Sequence, residues 1–245
     1  MTNLPRLAAA LDGFVLFPAL KETVAQLQGL PVMFKIRPDL IYRFGAEKLA
    51  AIGLRGDRIF LDAKLHDIGA SSFNDLNTLY YLFKPRLVTC HTSGSDAMLK
   101  TLVSYAADTL SPHCNMVGVT VLTDIGAIEC RGTFGRETEA QVLMLAAKGW
   151  NQGIRHFVSS PQEVAAVKRQ HPQAFCITPG VRPAGTSMDD QKRVDTPTAA
   201  ILNGADMLVV GRPITQADDP AAATVAILAE INAALASREQ AQASA

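Results

Sequence analysis

Eight short runs of apolar and β-branched residues recur along the chain, and most are followed by a longer stretch in which apolar positions return every three or four residues. The runs are "RLAAAL", "PVMFKI", "RIFLD", "RLVTCH", "MVGVTVL", "IRHFVS", "AFCITP" and "DMLVVG". Their length and lack of strict alternation suit strands buried on both faces, as in a parallel sheet. The stretches between them, such as "ALKETVAQLQ", "AEKLAAIGL", "SDAMLKTLVSYAADTL", "ETEAQVLMLAAKGW", "PQEVAAVKRQ" and "DDPAAATVAILAEINAALA", carry the helical period. Eight strands alternating with helices predict a (β/α)8 TIM barrel, with a doubly wound open sheet as the alternative. No Gly, Ser or Pro linker divides the chain, so residues 1–245 read as one domain, with the polar tail "SREQAQASA" (237–245) expected to fray.

Polar residues gather where these runs end. Asp12 closes the first strand, Lys35 the second, His91 the fourth and Thr123 the fifth, and Asp62, Lys64 and Asp67 follow the third in "RIFLDAKLHDIGASS". Residues two apart on a strand point the same way, so Asp62 and Lys64 share a direction if the strand continues that far. An isolated D-x-K is well explained as a strand-end ion pair worth about 0 to 1 kcal/mol. Convergence of several such residues on the C-terminal face, where barrel enzymes carry their chemistry, favours a site. His66 has no second His at ligand spacing, and His91 reads as a hydrogen-bonded strand-end residue, so no metal site is expected.

Two connections are long. "TDIGAIECRGTFGR" (123–136) follows the fifth strand and "GVRPAGTSMDDQKRVD" (180–195) the seventh, and both emerge on that same face. The seventh strand runs into "TPGVRP" and the eighth into "VVGRP". Barrels often hold phosphate with the loops after these two strands, because glycine lets backbone N–H groups approach the anion. Gly180 and Gly211 are each explicable as turn residues. With the fork of Arg212 and the polar Gln191 and Arg193 they read together as a phosphate grip.

Charge and cysteine usage narrow the class. The 23 basic and 23 acidic residues cancel, so no global field attracts nucleic acid or an anionic membrane. Cys90, Cys114, Cys130 and Cys176 form neither a CxxC pair nor a disulfide framework, which fits a reduced cytoplasm. The N-terminal stretch lacks signal-peptide character, and no run of roughly 18 apolar residues marks a membrane helix. Walker, GxGxxG and HExxH motifs are missing. The residues point to a phosphosugar or nucleotide transformed without metal or nucleotide cofactor.

The combination of "FLDAKLHDI", "TPGVRP" followed by "DQKR", and "VVGRPIT", in that order, resembles the orotidine 5′-monophosphate decarboxylase family, and the resemblance covers nearly the whole chain. It implies cofactor-free decarboxylation of orotidine 5′-monophosphate to UMP in de novo pyrimidine synthesis, with Lys64 protonating C6 of the pyrimidine. It further implies that Asp12 and Lys35 contact the ribose, that Lys35, Asp62, Lys64 and Asp67 form a charged network, that Thr123 meets the pyrimidine, and that Gln191 and Arg212 meet the phosphate. It implies a homodimer in which Asp67 and Ser71 serve the neighbouring subunit's site. Two positions depart from the bacterial pattern: Arg37 stands where glycine is common, and "DIGASS" replaces D-I-P-N-T, leaving Ser71 where threonine is usual. Two other readings remain at this point, a metal-dependent sugar-phosphate lyase on the same scaffold and a non-catalytic binder of phosphate ligands.

Overall fold

A computed structural model describes residues 4–110, 112, 114–182 and 195–243. Eight parallel strands, β1 (Leu7–Ala10), β2 (Met33–Ile36), β3 (Ile59–Leu65), β4 (Leu87–His91), β5 (Asn115–Val119), β6 (His156–Val158), β7 (Phe175–Thr178) and β8 (Met207–Val210), pair in sequence order, and β8 returns to β1 to close a barrel. Around it run α1 (Phe17–Leu27), α2 (Pro38–Phe44), α3 (Ala46–Ala51), α4 (Gly69–Phe83), α5 (Asp96–Asp108) and α6 (Ala127–Phe134). They are followed by α7 (Thr138–Asn151), α8 (Val164–Gln170), α9 (Pro197–Leu202), α10 (Arg212–Thr215) and α11 (Pro220–Ala243). All eight expected strands form, and the open-sheet alternative is excluded by closure.

Alternation along the strands sorts the core into two shells. Ala8, Met33, Phe60, Leu87, Val117, Ile177 and Met207 fill the barrel interior, while their neighbours Leu7, Phe34, Leu61, Val88, Met116, Cys176 and Leu208 pack outward against the helices. The same alternation aims the next inward positions, Lys35 after Met33, Asp62 after Phe60 and Thr89 after Leu87, into the barrel above its apolar floor.

One helix crosses the outer shell very closely. A Cβ on Gly149 of α7 would lie 2.9 Å from Phe157 Cε1 and 2.9 Å from Thr92 Cγ2, and a Cβ on Gly118 of β5 would lie 2.6 Å from the same Thr92 methyl. The two glycines leave room for the Phe157 ring and the Thr92 methyl between α7 and the sheet.

The connection after β5 carries α6 at its centre. One expectation needs correction. Helix α11 is long and apolar enough to cross a membrane by length and composition, contrary to the sequence reading. Its apolarity serves the barrel's outer ring instead: Thr224, Ile227, Ile231 and Ala234 are buried, Glu230 accepts hydrogen bonds from the N–H and hydroxyl of Thr198, and Arg238 donates to the Ile201 carbonyl. The same helix carries the polar tail onward as regular structure as far as Ala243.

Candidate active site

Asp62 is the hub of the barrel mouth. Its Oδ2 receives Lys64 Nζ at 2.6 Å and Lys35 Nζ at 3.1 Å, and its Oδ1 receives the Thr89 hydroxyl at 3.0 Å. Lys35 Nζ also donates to both carboxylate oxygens of Asp12, at 2.9 and 2.8 Å. Four residues from β2, β3 and the end of β1 thus alternate in sign, acid, base, acid, base, over the apolar interior. Burial alone would raise the Asp62 carboxyl, but the ammonium groups of Lys35 and Lys64, and the hydrogen bonds they donate, outweigh it and hold the carboxyl well below the usual carboxylate range.

Lys64 sits on an irregular backbone. β3 pairs Leu61 with Val88 but Leu65 with Cys90, so four residues of β3 advance against two of β4, and within this bulge Lys64 has φ +50°. The strand expected to end near Asp62 therefore continues to Leu65 in distorted form. Lys64 and Asp62 face one another because the bulge turns the lysine, and simple alternation does not describe that turn. Thr89, whose hydroxyl also accepts the Lys64 N–H at 2.8 Å, is the residue that the sequence reading missed. Its signal was its place two positions before His91, on the inward row of β4.

A cavity of about 690 Å³ opens above this network, within the usual range for small-molecule sites. Asp12, Lys35, Asp62 and Lys64 line one side; Thr123 and Asp124, after β5, line another; Pro179, Gly180, Gly211 and Arg212, after β7 and β8, line the side predicted to hold phosphate. Gly180 adopts φ +76°, a conformation that a side chain would strain. The long connection after β7 is pinned at its neck, where the Asp195 N–H donates to the Gly180 carbonyl and the Arg182 N–H to the Asp195 carbonyl. Gln191 and Arg193 lie outside the described residues.

Arg37 also lines the cavity, two residues beyond Lys35, with its Nε 3.4 Å from Asp39 Oδ1. It is a cation of the mouth.

Asp67 and Ser71 are not brought to the cavity of their own chain. Asp67 is exposed, its Oδ1 accepts the Ile68 N–H at 2.6 Å, and among the described residues no ion pair joins it to Lys64. The hydroxyl near its backbone belongs to buried Ser72, which accepts the Asp67 N–H at 3.2 Å; Ser71 lies half-buried in the first turn of α4. His91 packs its ring 5.0 Å from His66, and burial, followed by the charges of His66 and Lys64, pushes it down to about 4 against the pull of Asp62. It is neutral at neutral pH. Among the described residues no group of three His, Cys, Asp or Glu side chains is placed to hold a metal ion.

Residues 5–227 match the orotidine 5′-phosphate decarboxylase / HUMPS family. The chain belongs to that family. Similar members include the orotidine 5′-phosphate decarboxylase of Halorhodospira halophila, 38% identical over 94% of this chain and 97% of that one. The enzyme of that name from Thermobifida fusca is 40% identical over 80% of this chain and 83% of its own length. Among solved structures, the orotidine 5′-phosphate decarboxylase of Lactobacillus acidophilus superposes with a TM-score of 0.76 at 30% identity, covering 93% of this chain and 99% of that chain. The family match extends over all eight strands, and so over the strand ends that carry the Asp62 network.

Proposed function

We propose that the chain converts orotidine 5′-monophosphate to UMP and CO2 with Lys64 as the proton donor to C6 of the pyrimidine. The carboxy-lyase activity, orotidine 5′-phosphate decarboxylation in pyrimidine biosynthesis, is the family's. The finer assignment rests on one observation: the Lys64 ammonium contacts an Asp62 carboxylate held ionised within a cavity of nucleotide size.

Loss of CO2 leaves an electron pair on C6, and a fixed ammonium stabilises that pair as it develops and then delivers the proton that ends the reaction. Asp62 orients the ammonium. Asp12 and Lys35 are assigned to the ribose hydroxyls, Thr123 to the pyrimidine, and Gly211, Arg212 and Gln191 to the phosphate, whose remote binding energy orients the ring over Lys64. The reaction so drawn uses only these side chains, with no cofactor or metal.

We further assign a homodimer in which Asp67 and Ser71 complete the neighbouring site. The exposure of Asp67, beside an Ile68 that is 69% exposed, supports this reading. The four cysteines are buried and free, which supports a reducing, cytoplasmic setting. The net charge of zero favours neither nucleic acid nor a membrane surface as partner.

The test is the ultraviolet absorbance change of orotidine 5′-monophosphate with purified protein in EDTA, for the native chain and Lys64→Ala. Turnover by the native chain alone, with UMP binding retained in the variant, is the expected result. Near-normal turnover by Lys64→Ala would remove its role, and activity abolished by EDTA would redirect attention to metal-dependent sugar-phosphate chemistry.

A further inference from the structure

We infer that Thr89 is a positioning residue for the reaction at Lys64, through a single hydroxyl that fixes both the backbone of the lysine and the carboxylate facing it. The inference rests on the reading of Lys64 as proton donor and Asp62 as its anchor.

At the bulge Lys64 falls between the paired positions Leu61–Val88 and Leu65–Cys90, and its N–H donates to Thr89 Oγ1 at 2.8 Å. A non-glycine residue at φ +50° occupies a small allowed region and stays there only when its surroundings overdetermine it. Thr89 supplies that constraint from a fully buried position on the adjacent strand. The direction of both bonds is forced by chemistry. A backbone N–H can only donate and an ionised carboxylate can only accept, so the hydroxyl takes the Lys64 hydrogen on a lone pair and gives its own proton to Asp62 Oδ1 at 3.0 Å. With Oδ1 held, Oδ2 is left to face the Lys64 and Lys35 ammoniums together. Thr89 does not line the cavity, so it acts on substrate only through these two residues.

The experiment compares Thr89→Val, which keeps the shape and removes the hydroxyl, with Thr89→Ser, which keeps the hydroxyl, and runs Lys64→Ala beside them. Turnover of orotidine 5′-monophosphate gives kcat and KM, and calorimetric titration gives UMP affinity. The expected result is a kcat lower by on the order of 10²-fold in Thr89→Val, since a displacement of about 1 Å at the reacting group has that effect, with UMP affinity nearly unchanged and most of kcat kept in Thr89→Ser. Native kcat in Thr89→Val, an equal fall in Thr89→Ser, or a loss confined to affinity would each overturn the inference. If Thr89→Val fails to fold, Thr89→Ala against Thr89→Ser poses the same question, because those two differ only by the hydroxyl. Normal turnover in Lys64→Ala would instead bring down the donor reading on which the inference stands.

Discussion

Asp62 takes three donors from three different strands, and its position shows how much a single carboxylate can organise when both of its oxygens are engaged. The commitment was partly legible in the chain. Alternation from Phe60 places Asp62 inward, and the same rule from Met33 places Lys35 inward, so their meeting followed from strand period alone. The turn of Lys64 was not legible, because it depends on a register break against β4 that no local pattern announces. Asp67 was legible as a motif residue, yet among the described residues no hydrogen bond or ion pair ties its side chain to the cavity. Arg212 lines the cavity beside Gly180 and Gly211, at the proposed phosphate grip. Replacing it with Ala is expected to weaken binding of UMP by about 1.5–3 kcal/mol, roughly ten- to a hundredfold, the range for a charge-assisted hydrogen bond. Calorimetric titration of UMP and of uridine would check it, because uridine, lacking the phosphate, should bind the variant and the native chain alike.

At the level of elements, the long periodic helices such as α5 and α7 could be read from the chain, and the exceptions have local causes. α4 begins with Gly69, Ala70, Ser71 and Ser72, a poor helical opening with no large apolar side chain until Phe73. α6 contains Cys130, Gly132 and Thr133 and buries only Cys130, so it forms by docking rather than by amphipathic pattern. The seam between α7 and the sheet is a sterically exacting contact of the outer shell. Gly118→Ala is expected to destabilise the protein by about 1–3 kcal/mol, the usual cost of overpacking, since the added methyl meets the Thr92 methyl and the rigid Phe157 ring. Urea unfolding of the variant against the native chain measures it, and an unchanged midpoint would show that Thr92 yields freely.

For the whole molecule, protons and a second copy of the chain are the two variables to test. His156 is buried at the entry of β6, its Nε2 without a hydrogen-bond partner among the described residues, and burial, reinforced by Arg86 and opposed by Asp206, pushes it down to about 4. Between the ordinary histidine value of about 6.5 and that folded value, the unfolded chain binds a proton that the native one refuses, so stability falls as pH drops through this window. The contribution of His156 is on the order of 3 kcal/mol. Asp62, depressed in its turn, adds its loss only below about pH 4, where the unfolded carboxylate takes up its proton first. Unfolding curves between pH 7 and pH 4 should show a smaller loss in His156→Gln, though not none, because His91 shifts in the same sense. The proposed lending of Asp67 predicts complementation. Inactive Lys64→Ala and Asp67→Ala chains, dissociated and mixed, should recover about a quarter of native activity, because half the dimers are hybrids with one intact site of two. No recovery on mixing would place Asp67 in its own subunit's site.

The ring closes only when β8 pairs with β1, and the cavity is bounded by Asp12 near one end of the chain and Arg212 near the other. A ribosome that has made the first seven strands has therefore not yet enclosed the proposed nucleotide site: substrate should meet only chains that include β8, and saturating UMP should rescue those molecules from proteolysis while leaving shorter chains to be degraded.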